Sequence, residues 1–295
     1  MERSTGRRAA ADGLWLSLIA LVDSSCATIL SRSVRSMSTP VRSRGETPVP
    51  ITAIEDWQKY ASTKGKWEQH FSAMELARLW LDEAGTGPRA VVETLAPVLP
   101  GLVLDDAVAE AQVAFDAYPG GVRNHDVLAY GHVADGGVVV GVEGKVNESL
   151  DATITRKYQD AAKPLLPGKS SNLGKRVDAL LLAIAGRSLK DDSSLGALRY
   201  QLLSAVAGTL AAAKEDTVAA AVVIHLIRSP LAKEAKFAAA HAAVADFAQA
   251  LDLDASGPVI GPLKLHPEHA AGLAVEHPVP CWLAVVETPA LAGGV

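Results

Sequence analysis

The alternation of apolar and polar side chains is most regular over residues 138–146, where valine occupies nearly every second position. Successive side chains of a strand point to opposite faces, so this pattern predicts a strand with a valine-rich core face. The other face carries Glu143 and Lys145. At about 3.3 Å per residue the two side chains would lie roughly 6 to 7 Å apart, close enough to serve one reaction centre. We expect that face to be exposed.

A partner strand is predicted over residues 125–133, because the segment 134–137 that separates the two runs reads Ala-Asp-Gly-Gly. Glycine accepts the positive φ that tight turns require, so this segment predicts a hairpin. The hairpin brings Asp126 towards Glu143. With the turn placed at residues 134–137, Asp126 is further from the turn than Glu143 is, which predicts a register slip or a bulge between them.

The remaining periodicities predict an α/β protein with a mixed central β-sheet flanked by helices. Ser72 is a candidate N-cap, with Glu75 three residues later, for a helix that ends near Leu81. Trp57 and Trp80 are expected in the core. Further helices are predicted over residues 89–95, 148–162, 174–185, 195–214 and 237–251, a strand over 218–227 and an edge strand over 281–286. Since helices separate the strands at 138–146 and 218–227, these strands are expected to be parallel.

The first 50 residues are predicted to be a tail without stable structure, followed by a single domain over residues 51–295. Arginines precede an apolar run at residues 14–22, and Ser25-Cys26-Ala27 could mimic a signal-peptide cleavage site. Against a secretory signal, Met37 begins a Ser-Thr-Pro segment typical of a start, so we favour a translated upstream region before it. The apolar run is too short to span a bilayer, and no membrane partner is expected.

Composition and charge restrict the classes of function. Hydrophobic residues make up 49% of the chain, which excludes a disordered protein. The two cysteines, Cys26 and Cys281, are far apart in sequence, so no disulfide framework is indicated and a cytoplasmic location is expected. Net charge is -5, but residues 1–45 hold seven arginines against three acids, which leaves the rest with 21 basic and 30 acidic residues. Such an acidic body disfavours tight nonspecific binding of nucleic acid, and allows positive charge confined to a cleft.

Asp126, followed by Glu143-Gly144-Lys145, resembles the signature of the PD-(D/E)XK nuclease superfamily. The chain from about Trp57 to Glu287 also resembles an uncharacterised bacterial domain family assigned to that superfamily. This resemblance implies a restriction-endonuclease-like core with the succession αβββαβ. The blocks that carry the closer likeness are Asn124-His125-Asp126-Val127-Leu128, Val142-Glu143-Gly144-Lys145-Val146-Asn147-Glu148 and Leu198-Arg199-Tyr200-Gln201-Leu202-Leu203.

The resemblance implies a metal-dependent nuclease that hydrolyses phosphodiester bonds, with DNA as the favoured substrate. Mg²⁺, or Mn²⁺ in its place, would be held by Asp126, Glu143 and the Gly144 carbonyl, since these are hard oxygen ligands. Glu110, expected just before the first core strand, is a candidate additional ligand. Lys145 would orient or activate the attacking water or offset charge in the transition state, and its substitution is expected to leave folding nearly intact.

Three further residues are candidates for contacts around the reaction centre. Glu148 and Gln201 could support the ligands or touch substrate, and Arg199 could bind a phosphate as a bidentate donor. The alternative function is a non-catalytic module of the same fold that binds a protein or nucleic-acid partner, or forms a homodimer. Metal binding discriminates between the two, because a working acid pair should bind Mg²⁺ or Mn²⁺.

Overall fold

A seven-stranded mixed sheet is flanked by helices in the part of the chain that the structure describes, residues 38–61, 67–119, 121–163 and 171–292. The structure is a computed structural model. Its strands are β1 (Val41–Arg42), β2 (Val103–Val113), β3 (Arg123–Val133), β4 (Gly136–Lys145), β5 (Thr217–Arg228), β6 (Val259–Leu263) and β7 (Cys281–Pro289). Its helices are α1 (Ile54–Gln58), α2 (Ser72–Leu81), α3 (Thr86–Leu95), α4 (Ile154–Ala162), α5 (Leu173–Ala185), α6 (Tyr200–Ala211) and α7 (Glu234–Ala250). The predicted α/β class, with a mixed central sheet, is confirmed.

The strands lie in the order β1-β2-β3-β4-β5-β7-β6. An antiparallel meander of β2, β3 and β4 continues into β5 and β7, both parallel to their preceding neighbours. The parallel relation predicted for β4 and β5 is therefore confirmed. The edge position predicted for β7 is wrong, because β6 pairs with it antiparallel and covers its outer side.

The register of the β3–β4 hairpin differs from the predicted one. Val133 pairs with Gly136, so Ala134 and Asp135 alone form the turn and the two glycines belong to β4. The pairing continues in step from there to Val127 opposite Val142. No slip or bulge lies between the turn and that pair, so the shift predicted from the turn is wrong there, because the turn was placed two residues too long.

Two helical layers cover the sheet, one on each face. Helices α1 to α3 pack on the face that carries the valines of β4 at positions 138, 140 and 142, and Trp57 and Trp80 are buried there as predicted. Helices α4 to α7 cover the other face, which carries Val139 and Leu128. Because both faces are covered, Glu143 is 1% exposed and Lys145 is 9% exposed. The expectation that Lys145 lies on an exposed face is therefore wrong, and its substitution cannot be assumed harmless to folding.

Part of the segment predicted to be a tail without stable structure is ordered. Residues 38–50 belong to the compact unit Met37–Val295: β1 pairs in parallel with β2, and Val41 and Ser43 are buried. The possible signal or upstream region and Cys26 lie outside the described residues. Among the residues that are described, no helix combines the length and apolar character needed to cross a bilayer.

The start of α2 also departs from the predicted capping box. Phe71 is the N-cap, and Glu75 accepts the backbone N–H of His70 at 2.8 Å. The hydroxyl of Ser72 instead donates to Glu148 at 3.1 Å, which ties the start of α2 to the chain that leaves β4. A tertiary contact has replaced the local cap.

Candidate active site at the carboxyl end of β4

The alternation of faces breaks at one level of the sheet, on two neighbouring strands. In β3, Val127 packs on the α1–α3 face, whereas His125 contacts α6 on the opposite face although it is only two residues away. In β2, Ala109 packs on the α1–α3 face and Ala111 packs on the opposite face. The residue between the two alanines, Glu110, has a φ of +52°, a left-handed conformation that costs a non-glycine residue free energy.

Asp126 lies at this break and turns its carboxylate towards β4. Its Oδ2 accepts the backbone N–H of Gly144 at 2.9 Å, just beyond the β3–β4 pair Val127–Val142. Burial raises the pKa of Asp126 to about 6, and the charge of Glu143 acts in the same direction. The Lys145 charge and the Gly144 N–H oppose that rise. The two carboxylates are therefore close enough for each to disfavour ionisation of the other.

Glu143 is held by donors on both of its oxygens. The guanidinium of Arg123 donates to Oε1, and the amide of Gln201 donates to Oε2 at 2.7 Å. Nδ1 of His125 lies 3.7 Å from Oε1. Burial would raise the pKa of Glu143, but the charges of Arg123 and Lys145 outweigh it, so the pKa is lowered and Glu143 is ionised at neutral pH.

Lys145 provides the second positive charge of the site. Its ammonium lowers the pKa of Asp126 and of Glu143, which places it within electrostatic reach of both carboxylates. It makes no hydrogen bond or ion pair within the described residues, so its amine is not tied to a fixed protein partner there. A basic group held between two acids without a fixed partner is suited to act on a ligand.

Two glycines allow the buried part of the site to close around His125. A Cβ on Gly141 of β4 would lie 2.2 Å from the Thr209 hydroxyl, and a Cβ on Gly208 of α6 would lie 2.7 Å from the Arg123 side chain. Both would also meet the His125 ring within 3 Å. Burial, followed by the Arg123 charge, lowers the pKa of His125 to about 3, so the imidazole is neutral. His125 thus packs beside Glu143 as an uncharged ring.

The other predicted ligands fall at different places. Gly144, like Glu143, is paired with β5, and its N–H is taken by Asp126. Glu110 was expected just before the first core strand. It lies inside β2 instead, at the position facing Asp126 between the pairs Ala109–Val127 and Ala111–His125. Acidic residues thus occupy neighbouring positions on β2, β3 and β4.

The three residues predicted to support the ligands differ in what they touch. Gln201, in the first turn of α6, bonds Glu143 and also accepts the N–H of Asp151 at 3.3 Å. Arg199 donates to the carbonyl of Asp151 at 3.3 Å and does not contact the acid pair. Glu148 accepts four hydrogen bonds, from the Ser72 N–H and hydroxyl and from two N–H groups just after β4. Its geometry is that of a structural tie.

Sequence reasoning missed Arg123 and His125 as parts of the site. His125 lies within the block of resemblance at residues 124–128, next to Asp126, and Arg123 immediately precedes that block. The available signal was an arginine at the start of an otherwise apolar strand, at the same end of the strand as Asp126. Its contact with Glu143 depends on α6 and β4, which pattern reasoning does not position.

Metal-ligating side chains do not converge in a finished cluster. Within the described residues, no group of three or more His, Cys, Asp or Glu side chains is arranged to hold a metal ion. The arrangement offers two carboxylates, Asp126 and Glu143, with two basic side chains beside them. A cation bound there would be held by this pair together with backbone oxygens and groups supplied by a ligand.

Comparisons with known proteins identify a family but not an activity. Neither the curated proteins nor the solved structures gave a match. A family model described as a domain of unknown function matches residues 50–269, from just before α1 to the 3-10 helix Pro267–Gly272. That span includes the acid pair and every residue that contacts it. The chain belongs to this family, Domain of unknown function (DUF6946).

Proposed function

We propose that this protein is a metal-dependent nuclease of the PD-(D/E)XK type that hydrolyses phosphodiester bonds, with DNA as its substrate. The observation that carries the proposal is the meeting of Asp126 and Glu143 on paired strands, with the Lys145 charge acting on both. All three lie where β4 ends, beside the carboxyl ends of the parallel strands, the edge at which open α/β sheets bind ligands. A cytoplasmic location belongs to the same proposal.

The order of elements supports the proposed superfamily. Helix α3 precedes the antiparallel meander β2-β3-β4, helices follow, and β5 then pairs in parallel with β4. This order is compatible with the succession αβββαβ that the resemblance implies, with α4, α5 and α6 in the place of its second helix. The remaining strands extend the sheet at its two edges.

The residues present fit a hard divalent cation. Carboxylate and carbonyl oxygens are the ligands that Mg²⁺ prefers, and Asp126 and Glu143 with the Gly144 carbonyl supply them, with Glu110 as a further candidate. The raised pKa of Asp126 supports the fit, because burial and the Glu143 charge disfavour its ionisation and a bound cation would offset both. When bound, Mg²⁺ would polarise the phosphate and promote ionisation of a water molecule.

The protein residues would contribute positioning and charge. Hydrolysis joins a water oxygen to phosphorus and breaks one phosphorus–oxygen ester bond, while the water proton passes to solvent and the departing oxygen gains one. The Lys145 ammonium would orient the attacking water and stabilise negative charge on the phosphoryl oxygens. Gln201 and His125 would hold the Glu143 carboxylate in place, one by a hydrogen bond and one by packing.

A second candidate function is favoured by one observation. Arg123 and Gln201 already satisfy both oxygens of Glu143. A carboxylate neutralised in this way can serve as a structural pair in a non-catalytic module that binds a protein or nucleic-acid partner. The raised pKa of Asp126 favours the nuclease, and so does Lys145, which has no hydrogen bond or ion pair among the described residues, because a purely structural pair needs neither.

Cleavage by the full chain tests the proposal. Single- and double-stranded DNA and RNA are incubated with the protein in Mg²⁺, Mn²⁺ or EDTA, beside Asp126→Asn and Lys145→Met. Substitutions that keep the side-chain volume are chosen because Lys145 is buried. Folding of both variants is checked by circular dichroism. Lys214→Met is the matched control, because Lys214 lies over the Tyr130 ring towards the turn of the hairpin.

We expect metal-dependent cleavage by the wild type and by Lys214→Met, and loss of cleavage in the two site variants. Removal of one properly placed charge typically lowers such rates by about 10²- to 10³-fold. If the wild type cleaves nothing and neither metal raises its melting temperature, the binding module is the better assignment.

A further inference from the structure

Both oxygens of the Glu143 carboxylate accept a hydrogen bond from a protein donor, and one of these donors is charged. Its buried oxygens accept from Arg123 and from Gln201. A divalent cation and a guanidinium both carry positive charge, so they compete for the same oxygen. A metal bound to Glu143 would therefore repel the Arg123 guanidinium, whereas the neutral Gln201 amide could keep its hydrogen bond.

Of the two donors, Arg123 is the less firmly held. Gln201 is fixed by a second bond, since its Oε1 accepts the N–H of Asp151. Arg123 makes no hydrogen bond other than the one to Glu143 in the described part of the chain, and its Nε is buried there without a partner. An unpaired buried N–H of a charged group costs free energy, so this position leaves binding capacity of the guanidinium unused.

The place of Arg123 at the start of β3 gives it access to a ligand. Its side chain is 12% exposed, and the neighbouring Val122 and Asn124 are exposed. The guanidinium therefore lies between the buried Glu143 and the edge of the sheet at which β3 begins and β4 ends. A small change in its side-chain torsions would exchange the carboxylate for a group arriving from that edge.

We propose that Arg123 is a phosphate-binding residue with two positions. In the present structure it neutralises Glu143, and when a divalent cation binds Glu143 it moves to a backbone phosphate of the nucleic acid. The guanidinium suits this exchange, because its planar fork pairs as well with phosphate oxygens as with a carboxylate. This proposal rests on the proposed nuclease function and adds a substrate contact that also controls access of the metal.

The test measures metal and nucleic-acid binding separately, without relying on cleavage. Calorimetry gives the affinity of Mn²⁺ for the full chain without nucleic acid. A second titration, in Ca²⁺ instead of Mg²⁺, gives the affinity of a mixed-sequence DNA oligonucleotide, with inorganic phosphate as a parallel probe. The variants are Arg123→Met and Arg123→Lys, and Arg42→Met is the control, since Arg42 forms an exposed pair with Asp106 on the edge of the sheet.

In Arg123→Met we expect Mn²⁺ to bind about tenfold more tightly, because the competing cation is gone. We expect the oligonucleotide to bind about tenfold more weakly, because a charge-assisted contact to phosphate is lost. Arg123→Lys keeps the charge but not the fork, so its Mn²⁺ affinity should stay near wild type while its oligonucleotide affinity falls between the two. Arg42→Met should match the wild type in both titrations.

Opposite changes in the two affinities are the signature of the exchange. If Arg123 only supports the fold, both affinities fall together or neither changes, and the proposal is overturned. Binding of inorganic phosphate without binding of the oligonucleotide would also overturn it. If Arg123→Met does not fold, Arg123→Lys decides, since an oligonucleotide affinity equal to wild type excludes a fork contact.

Failure of the exchange can be told apart from failure of the nuclease proposal. A wild type that binds Mn²⁺ and cleaves, beside an Arg123→Met protein with unchanged affinities, removes the role of Arg123 alone. Absence of Mn²⁺ binding in the wild type and in both variants removes the metal site and the exchange with it.

Discussion

The pairs Arg176–Asp116 and Arg123–Glu143 both bury their carboxylates, and they differ in how completely their hydrogen bonds are satisfied. Arg176 of α5 bonds both oxygens of Asp116 and also donates to the carbonyl of Tyr118, and Asp116 accepts the Tyr118 N–H. Arg123 bonds Glu143 through a single nitrogen and leaves its Nε buried without a described partner. We call the Arg176–Asp116 pair closed, because both oxygens of its carboxylate bond the guanidinium, and the Arg123–Glu143 pair open.

The surroundings of the two pairs explain the difference. Asp116 is paired with Arg176, and this pair joins the segment before β3 to α5. Glu143 shares its site with Asp126 and Lys145, so its charge is balanced by more than one cation and opposed by a second acid. Buried pairs with complete networks stabilise a fold, while incomplete networks with perturbed pKa values mark functional sites. Substitutions should therefore affect the two pairs differently.

The largest effect is expected from Arg176→Met, which leaves Asp116 buried without its cation. Removing one partner of a buried ion pair costs about 3–5 kcal/mol. We expect a loss of this size in the free energy of unfolding, measured by urea denaturation. Cleavage per folded molecule should be unchanged, because Arg176 does not touch the acid pair.

The control for this loss is Arg42→Met, where the paired arginine side chain is 52% exposed. Exposed ion pairs contribute at most about 1 kcal/mol, so this variant should unfold close to the wild type. A loss in Arg176→Met no larger than in Arg42→Met would contradict the closed-network description.

The open pair predicts a gain in stability from Asp126→Asn. The folded protein raises the pKa of Asp126 from its ordinary 3.8 to about 6, so the folded state binds this proton more tightly than the unfolded state does. Ionisation of Asp126 therefore destabilises the fold as pH rises from about 4 to 6, and the cost is complete above that range. At pH 8 in EDTA we expect Asp126→Asn to be more stable by on the order of 2 kcal/mol.

The pH dependence separates this explanation from a general effect of asparagine. The stability difference between Asp126→Asn and the wild type should shrink below pH 6 and vanish near pH 4, since both proteins then carry a neutral group. Thermal unfolding across this range measures it. An Asp126→Asn protein that is less stable than wild type at pH 8 would show that the carboxylate is part of a structural network.

A smaller loss is expected from Arg123→Met than from Arg176→Met. Glu143 keeps Gln201 and the Lys145 charge, so its carboxylate is not left without compensation. We expect a loss of roughly 1–2 kcal/mol in the free energy of unfolding, below the range for a fully uncompensated buried charge. Equal losses for the two arginines would remove the distinction between a closed and an open pair.

The sequence predicted the elements of the open site better than its contacts. The valine alternation of β4 and the glycine turn correctly indicated the hairpin that joins Asp126 to Glu143. The same alternation did not predict that α6 covers the second face, because periodicity within one strand carries no information about what packs on it. Arg123 was missed for that reason, and the face reversal at Glu110 and Asp126 breaks the alternation rule itself.

The closed site was not predicted from the sequence at all. Asp116 and Arg176 are 60 residues apart, and neither lies in a motif. Their pairing depends on how the chain between β2 and β3 returns to α5, which is a consequence of the tertiary fold. Polar networks of this kind become visible only after the helices are placed on the sheet.

The smallest effect expected is at Gly208, where α6 passes closest to Arg123. A Cβ there would lie 2.7 Å from Arg123 Cγ and 2.8 Å from the His125 ring, so Gly208→Ala must displace one of them. Alanine gains up to about 1 kcal/mol in a helix relative to glycine, whereas overpacking costs about 1–3 kcal/mol. We therefore expect a net loss of about 1 kcal/mol in the free energy of unfolding. We also expect a change in Mn²⁺ affinity, because Arg123, one of the two side chains that would be displaced, belongs to the open pair.

The matched control is Gly174→Ala in α5, whose Cβ would meet only Ala161 at 4.0 Å, and it should be neutral or stabilising. Equal unfolding free energies and unchanged Mn²⁺ affinity in both variants would show that Arg123 does not depend on the glycine beneath it.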